Sequence, residues 1–187
     1  MPPDQVVQWA WGLWLLSWFA AAAWSSRTAR RPHALSERLY RVLTAAGAIV
    51  LFGRPGWRWA WAQLWRAGPF TQWALVVVTV AGLAFTWWAR IVLGRLWSSG
   101  VTRKVDHDVI MAGPYRFVRH PIYSGIILSL LATAAIQGTT GAVLGAGLIV
   151  LGTFMKARVE ERFLRDELGD RYDAYARRVP MFVPFTR

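Results

Sequence analysis

The sequence predicts an all-α, polytopic integral membrane protein with about five transmembrane helices. Three observations lead to this fold class: 55% of the 187 residues are hydrophobic, uncharged runs recur along the chain, and basic residues lie between those runs. A soluble domain of this length needs a more polar surface. We expect one membrane domain over residues 1–187, in which residues 1–93 form N-terminal transmembrane helices and residues 94–187 form a C-terminal half.

Five apolar segments account for the predicted spans. Residues 5–24 carry no formal charge and have about the length that a helix needs to cross the hydrocarbon core. Residues 42–53 form a shorter second span, and residues 71–93 form the third. Residues 121–137 and 140–155 are joined by a short Gly/Thr turn, which predicts a tight helical hairpin.

Small residues in the last third of the chain mark a helix contact and two helix ends. Gly141 and Gly145 stand four residues apart, a spacing that lets helices approach closely in lipid. The chain turns polar from Lys156 onward, and the predicted helical run reaches Leu168 before Gly169, a residue type favoured just past a helix end. Asp170 is then suited to cap a last short helix.

The distribution of Lys and Arg predicts the orientation. With five spans, the rule that basic loops stay inside places the N-terminus outside, and both the loop 94–120 and the C-terminal tail in the cytoplasm. In a bacterium this would be the inner membrane. Segment 54–70 mixes Trp and Arg with Pro and Gly, which is typical of the headgroup level. The basic counts are five in 27–41, three in 54–66, six in 90–119, none in 138–140 and eight from 156 onward.

Composition and spacing also exclude several classes of function. The net charge of +12 is spread between apolar runs and forms no single stripe, so we expect lipid contacts and no nucleic acid. The absence of Cys excludes disulfides and thiolate sites. His107 and His120, with the aspartates beside His107, match no compact ligand pattern, so no metal is predicted. The N-terminus lacks the features of a cleaved signal, so we expect the first span to be retained.

The segment GPYRFVRHPIYSG (113–125) is the first candidate for chemistry. Pro121 at a first helical turn costs no hydrogen bond, and it leaves Arg119 and His120 just outside the span, near exposed backbone N–H groups. An anion such as an amino-acid carboxylate could bind there. In the alternative interpretation, Arg119 and His120 are headgroup anchors, and Tyr115 and Tyr123 belong to an aromatic belt.

The segment KARVEERFLRDELG (156–169) is the second candidate. Glu160 and Glu161 directly follow the fifth span, where carboxylates are costly unless they are paired. Lys156 shares a helix face with Glu160, and Glu161 forms an i,i+4 pair with Arg165. The alternative is an ordinary solvated helix with surface salt bridges.

Three blocks in order resemble the isoprenylcysteine carboxyl methyltransferase and phospholipid methyltransferase superfamily of integral-membrane enzymes. They are His107 followed by an aliphatic pair and GPY, then RHPIYSG (119–125), then EERFLRDELGDRYDAYARRVP (160–180) with VPF close behind. The resemblance covers roughly residues 95–185.

The resemblance implies an S-adenosylmethionine-dependent methyltransferase without a Rossmann sheet, whose C-terminal cytoplasmic helical region binds the cofactor and whose acceptor is lipophilic or delivered by the membrane. It implies a reacting end formed by Glu160, Arg158 and Lys156. Prenylcysteine methyltransferases have Arg where this chain has Lys156, which leaves the acceptor open between a lipid amine, a thioether carboxylate, a small thiol and an isoprenoid acid. The implied cofactor pocket consists of His107, Tyr115, Arg119, His120, Pro121, Tyr123, Gly125, Glu160 and Glu161.

Two other functions compete with this one. A membrane reductase of related architecture would use a nicotinamide cofactor, and a cofactor screen in detergent separates it from a methyltransferase. A non-catalytic lipid-interacting protein would depend on segment 54–70, and replacing Arg119, His120 and Glu160 together would leave its function intact. The sequence gives no indication of oligomeric state.

Overall fold

The computed structural model describes residues 1–21, 34–53, 62–94 and 110–186, with side chains from residue 37 in the second stretch. Within these residues the chain is all-α, as predicted. Six α-helices and one short 3-10 helix are present there: α1 (Pro3–Ala20), α2 (Ala34–Phe52), α3 (Pro69–Leu93), the 3-10 helix Gly113–Arg116, α4 (Pro121–Gln137), α5 (Thr140–Leu168) and α6 (Asp170–Arg178).

Helices α2 and α5 pack closely in antiparallel directions through glycine. A Cβ atom added at Gly145 would lie 2.8 Å from the Gly47 carbonyl oxygen, and one added at Gly152 would lie 2.7 Å from Thr44 Oγ1. No side chain larger than hydrogen fits such contacts without a shift of the backbone. The predicted close approach at Gly145 is therefore confirmed, and its partner is α2.

Helices α3 and α4 form a second close pair. A Cβ atom added at Gly125 would lie 2.6 Å from the Gly82 carbonyl oxygen and 2.7 Å from Thr86 Cγ2. Ser129 Oγ donates to the Thr79 carbonyl oxygen at 2.9 Å, so the hydroxyl is satisfied inside the apolar bundle. This pair fixes the position of the residues that precede α4.

Helix α1 packs on α3 and α4 through tryptophan. Trp11 Nε1 donates to Thr133 Oγ1 at 3.0 Å, and Trp14 Nε1 donates to Thr86 Oγ1 at 2.7 Å. Trp18 stacks on Trp14 with ring centroids 4.8 Å apart. A buried indole N–H needs an acceptor, and the threonine hydroxyls supply it.

Two helices of the described part, α3 and α5, are long and apolar enough to cross a bilayer, and α4 is a shorter apolar helix. Helix α5 runs unbroken from Thr140, so the predicted fifth span and the charged segment after it are one helix. Gly169 ends that helix with φ +53°, as predicted. The predicted Asp170 cap is wrong, because α6 begins at Asp170 after Gly169, and no side chain caps it.

The two ends of the bundle differ in character. At one end, residues 62–65 of the predicted interfacial segment pair with the α4–α5 turn, where Leu64 N donates to the Gly138 carbonyl oxygen at 2.8 Å; residues 54–61 lie outside the described residues. A cavity of about 320 Å³ opens at this end, lined by residues that include Asp4, Gln8 and Gln137. The motif residues gather at the other end, where α4 starts and α5 becomes polar.

Candidate active site

The C-terminal tail holds the loop that leads into α4. Arg119 N donates to the Pro180 carbonyl oxygen at 2.9 Å, and His120 N donates to the Met181 carbonyl oxygen at 3.1 Å. Ser124 Oγ donates to the Phe182 carbonyl oxygen at 2.7 Å. The tail thus occupies the backbone N–H groups of Arg119 and His120. The anion site predicted at the exposed N–H groups of the helix start beside them stays a prediction.

Arg119 joins three parts of the C-terminal half. Its Nε donates to Glu161 Oε1 at 2.6 Å, and one terminal nitrogen donates to the carbonyl oxygens of Ala176 and Val179 at 2.7 and 2.8 Å. The side chain is 12% exposed. A guanidinium fixed by a carboxylate and two carbonyls fastens the end of α6 to α5.

His120 lies between the two adjacent glutamates. Its Nδ1 is 3.5 Å from Glu160 Oε2, and its Nε2 is 3.3 Å from Glu161 Oε1. Burial disfavours the charged imidazolium, but the hydrogen bonds and charges of both carboxylates outweigh burial and raise the pKa of His120 above its ordinary value. The two carboxylates thus favour the charged form of His120, and the Arg119 guanidinium is paired with Glu161.

Glu160 is also held by Tyr123. Tyr123 Oη donates to Glu160 Oε1 at 2.5 Å, and the Tyr123 ring stacks on His120 at 5.4 Å between centroids. Lys156 Nζ lies 5.3 Å from the centroid of the same ring, a cation–π contact. Because Lys156 and Glu160 are one helical turn apart, the lysine charge also acts on the Glu160 carboxylate.

The remaining motif residues of the α4 loop are packed inside the protein. Tyr115 is 8% exposed and packs with Ala89 and Ile122, and its carbonyl oxygen accepts a hydrogen bond from Tyr175 Oη at 2.6 Å. Pro121 is buried in the first turn of α4, as predicted. Gly125 lies against α3, as described above, which gives it a role in helix packing.

The charged end of α5 has two different sides. The predicted Glu161–Arg165 pair is confirmed, with Arg165 Nη2 3.5 Å from Glu161 Oε2, and Glu161 is buried. Arg158, three residues before Glu161, is exposed, and its guanidinium carbon lies 5.9 Å from the Phe154 ring centroid. His107 lies outside the described residues.

Two residues of this region carry no sequence signal that points to the site. Tyr40 of α2 is 4% exposed and interacts electrostatically with Glu160. Phe182 of the tail lies 5.8 Å from the His120 ring, centroid to centroid. Tyr40 belongs to a part of the chain that shows only a generic span, and its approach to Glu160 depends on the glycine contact between α2 and α5.

Comparison with known proteins agrees with the motif blocks. The sequence model of the isoprenylcysteine carboxyl methyltransferase (ICMT) family matches residues 74–166, which run from α3 through the paired glutamates. The chain belongs to the ICMT superfamily. The matched residues 74–166 include the site residues Arg119, His120, Tyr123, Glu160 and Glu161. Tyr40, α6 and the tail lie outside the match.

Curated relatives of this ICMT-superfamily chain carry several names. It is 28% identical to methanethiol S-methyltransferase 1 of Bradyrhizobium diazoefficiens over 174 residues, 88% of this chain and 59% of the relative. It is 36% identical to protein-S-isoprenylcysteine O-methyltransferase of Schizosaccharomyces pombe over 84 residues, 44% of this chain and 35% of the relative.

The similarity also reaches a protein named for metal resistance. The chain is 27% identical over 146 residues to the cobalt-zinc-cadmium resistance protein CzcN of Cupriavidus metallidurans, covering 76% of this chain and 60% of the relative. The chain thus spans less than two thirds of the length of these three relatives. Among the described residues, no group of three or more His, Cys, Asp or Glu side chains could hold a metal ion.

Proposed function

We propose that this protein is an integral-membrane methyltransferase that uses S-adenosylmethionine to methylate a lipophilic or membrane-delivered acceptor. The observation that carries the proposal is the position of His120 between Glu160 and Glu161, with Tyr123 bound to Glu160. These residues come from the matched part of the ICMT family, and they gather at one end of a bundle whose walls are apolar helices.

The residues of this end suit the proposed cofactor chemically. Its ammonium and ribose hydroxyl groups are hydrogen-bond donors, and Glu160 is an acceptor. Its sulfonium is a cation, and the Tyr123 ring already faces one cation, Lys156. The Tyr40 hydroxyl is buried without a hydrogen-bond partner among the described residues, so this end of the bundle also contains a polar group that a second ligand could satisfy.

S-adenosylmethionine, when bound, supplies a methyl group whose carbon–sulfur bond breaks, with the bonding pair left on sulfur, as a lone pair of the acceptor forms the new bond. The protein aligns the reactants and excludes water. Glu160 binds the donor groups of the cofactor, and His120 and Tyr123 hold that carboxylate in place. Arg119 positions Glu161 and holds the tail against α5, since its Nε and one terminal nitrogen are engaged by these groups.

We also propose five membrane spans, α1 to α5, with the N-terminus outside and the active site in the cytoplasm. The uneven distribution of basic residues supports this orientation. The chain has no native Cys, so single-cysteine variants test it directly. An impermeant maleimide should label Asp4→Cys on intact cells and Arg178→Cys only after lysis. The reverse pattern would invert the proposed topology.

Binding calorimetry on the detergent-purified protein tests the cofactor. We expect S-adenosylmethionine and S-adenosylhomocysteine to bind. Glu160→Gln should weaken binding at least 10-fold, because a neutral amide accepts hydrogen bonds from the cofactor more weakly than a carboxylate does. Asp166→Asn is the matched control, since it removes an exposed carboxylate from the same helix. Binding of NADPH in place of S-adenosylmethionine would support a reductase. Equal binding by Glu160→Gln and the control would remove Glu160 from the site.

A further inference from the structure

Tyr40 is a buried residue of α2 that the proposed mechanism leaves without a role. The helix contact fixes its position, because a Cβ atom added at Gly152 would lie 3.0 Å from the Tyr40 carbonyl oxygen. Helices α2 and α5 are antiparallel, so the start of α2 lies beside the charged end of α5. Tyr40 is thus about level with the turn of α5 that separates Gly152 from Lys156.

The direction of the side chain brings its hydroxyl toward the site. Side chains of a helix lean toward its N-terminus, and on α2 that direction leads from Gly152 toward Glu160. The electrostatics agree with this position, because the hydroxyl interacts with the charges of Glu160 and Arg41. A phenol hydroxyl that carries its proton is a hydrogen-bond donor.

The Tyr40 hydroxyl has no hydrogen-bond partner within the described residues, although it is shielded from solvent. Such a group costs free energy in the folded protein, whereas phenylalanine at this position would pack equally well without that cost. The hydroxyl interacts electrostatically with Glu160, which shares a face of α5 with Lys156. A ligand bound there would supply the missing acceptor.

We propose that Tyr40 is an acceptor-binding residue, whose hydroxyl donates a hydrogen bond to the anionic sulfur or oxygen of an apolar thiol or carboxylic acid that binds in its ionised form, after its proton has passed to water. This inference rests on the proposed methyltransferase function and narrows its acceptor class. A thiolate or carboxylate keeps a lone pair for the methyl group while another accepts from Tyr40. A neutral amine has one lone pair, and a hydrogen bond from Tyr40 would block it.

The position of Tyr40 in the chain favours a role in binding the acceptor over a role in binding the cofactor. The motif residues that resemble the family's cofactor pocket all belong to residues 107–161, whereas Tyr40 comes from the N-terminal half, outside the family match. Lys156, one turn before Glu160, adds positive charge on the face of α5 that carries Glu160, with which Tyr40 interacts. A hydroxyl and an ammonium of one apolar helix pair suit an anionic group attached to an apolar body.

The test compares Tyr40→Phe with Thr44→Val in detergent. Thr44→Val removes another α2 hydroxyl, one whose bond stays within its own helix, to the Tyr40 carbonyl oxygen at 2.8 Å. Five quantities are measured for each protein: the thermal midpoint, the Kd of S-adenosylhomocysteine, the Kd of 1-octanethiol for the S-adenosylhomocysteine complex, kcat and KM. The acceptors are 1-octanethiol, N-acetyl-S-farnesylcysteine and octylamine.

For Tyr40→Phe we expect an unchanged or higher thermal midpoint and a Kd of S-adenosylhomocysteine within about twofold of wild type. We expect kcat/KM for the thiol or the acid to fall roughly 10- to 100-fold, as for the loss of a hydrogen bond to a charged group, and octanethiol binding to weaken in parallel if the thiol is the acceptor. Thr44→Val should leave all ligand constants unchanged. Methylation of 1-octanethiol would identify the acceptor as a thiol, and methylation of N-acetyl-S-farnesylcysteine would identify it as a carboxylic acid.

Equal kcat/KM for wild type and Tyr40→Phe would overturn the inference, as would methylation of octylamine alone. Loss of S-adenosylhomocysteine binding in Tyr40→Phe would also overturn it, since Tyr40 would then belong to the cofactor site. Failure of the folded wild-type protein to bind S-adenosylhomocysteine is a different result, because it would remove the proposed function itself.

Discussion

Replacing Arg119 with Ala should release the C-terminal tail from the bundle. The change removes the 2.6 Å bond to Glu161 and the bonds of 2.7 and 2.8 Å to the carbonyl oxygens of Ala176 and Val179. Removing one partner of a buried ion pair costs about 3–5 kcal/mol. Glu161 keeps His120 and Arg165 as neighbours, which favours the lower end of that range, about 3 kcal/mol.

The release of the tail can be measured as the rate of amide hydrogen exchange, by mass spectrometry, in the peptide that contains α6 and the tail. A loss of about 3 kcal/mol corresponds to exchange faster by roughly 100-fold in that peptide. Arg158→Ala is the control, because it removes an exposed guanidinium from the same end of the bundle. Arg119→Lys should fall between the two, since one ammonium cannot reproduce a planar fork of donors. If Arg119→Ala exchanged no faster than Arg158→Ala, the assignment of Arg119 as a fastener of the tail would be refuted.

Three further predictions concern helix packing, the tryptophans of α1 and the titration of His120. Gly145→Ala should destabilise the protein by about 1–3 kcal/mol in thermal unfolding, because its Cβ would lie 2.7 Å from Leu51 N, whereas Gly147→Ala, with nothing within 4 Å, should be neutral. Trp11→Phe should lower the free energy of unfolding by about 1–2 kcal/mol, because Thr133 Oγ1 loses its indole donor. Trp9→Phe, at an exposed residue, should lower it far less, and equal losses would contradict the α1 packing. Folding raises the pKa of His120, so its charge contributes stability in full below about pH 6.5 and loses it as pH rises through the folded-state pKa. The thermal midpoint of wild type should therefore exceed that of His120→Gln most at low pH, and a difference that grows with pH would show the opposite shift.

The helical segments were predictable because apolar runs and helix-ending residues are local signals. The predicted segment 121–137 coincides with α4, and Gly169 ends α5 where expected. Local pattern predicts that the helical run continues through Lys156 and the paired glutamates to Leu168, as α5 does, but it does not show which helix packs against that run. It also could not assign the Asp170 cap, because a residue with cap chemistry can equally start the helix at its first position.

The candidate site was partly predictable for the same reason. Two motif blocks, around His120 and around Glu160, are each local, and the structure brings them together with Tyr123. What the sequence missed depends on contacts between distant segments. The tail occupies the backbone N–H groups of Arg119 and His120, and the glycine contact of α2 with α5 brings Tyr40 to Glu160. No local pattern carries either contact.

Transfer of a deuterated methyl group tests the central claim most directly. Purified protein is incubated with S-adenosylmethionine carrying a CD3 group and with a thiol, a thioether carboxylate or an amine acceptor. The products are identified by mass spectrometry. The account predicts CD3 on an acceptor sulfur or oxygen, formed together with an equal amount of S-adenosylhomocysteine, and formed at least 10-fold more slowly by Glu160→Gln than by Asp166→Asn. A folded protein that binds S-adenosylmethionine but labels none of these acceptors, or that labels them equally well without Glu160, would contradict it.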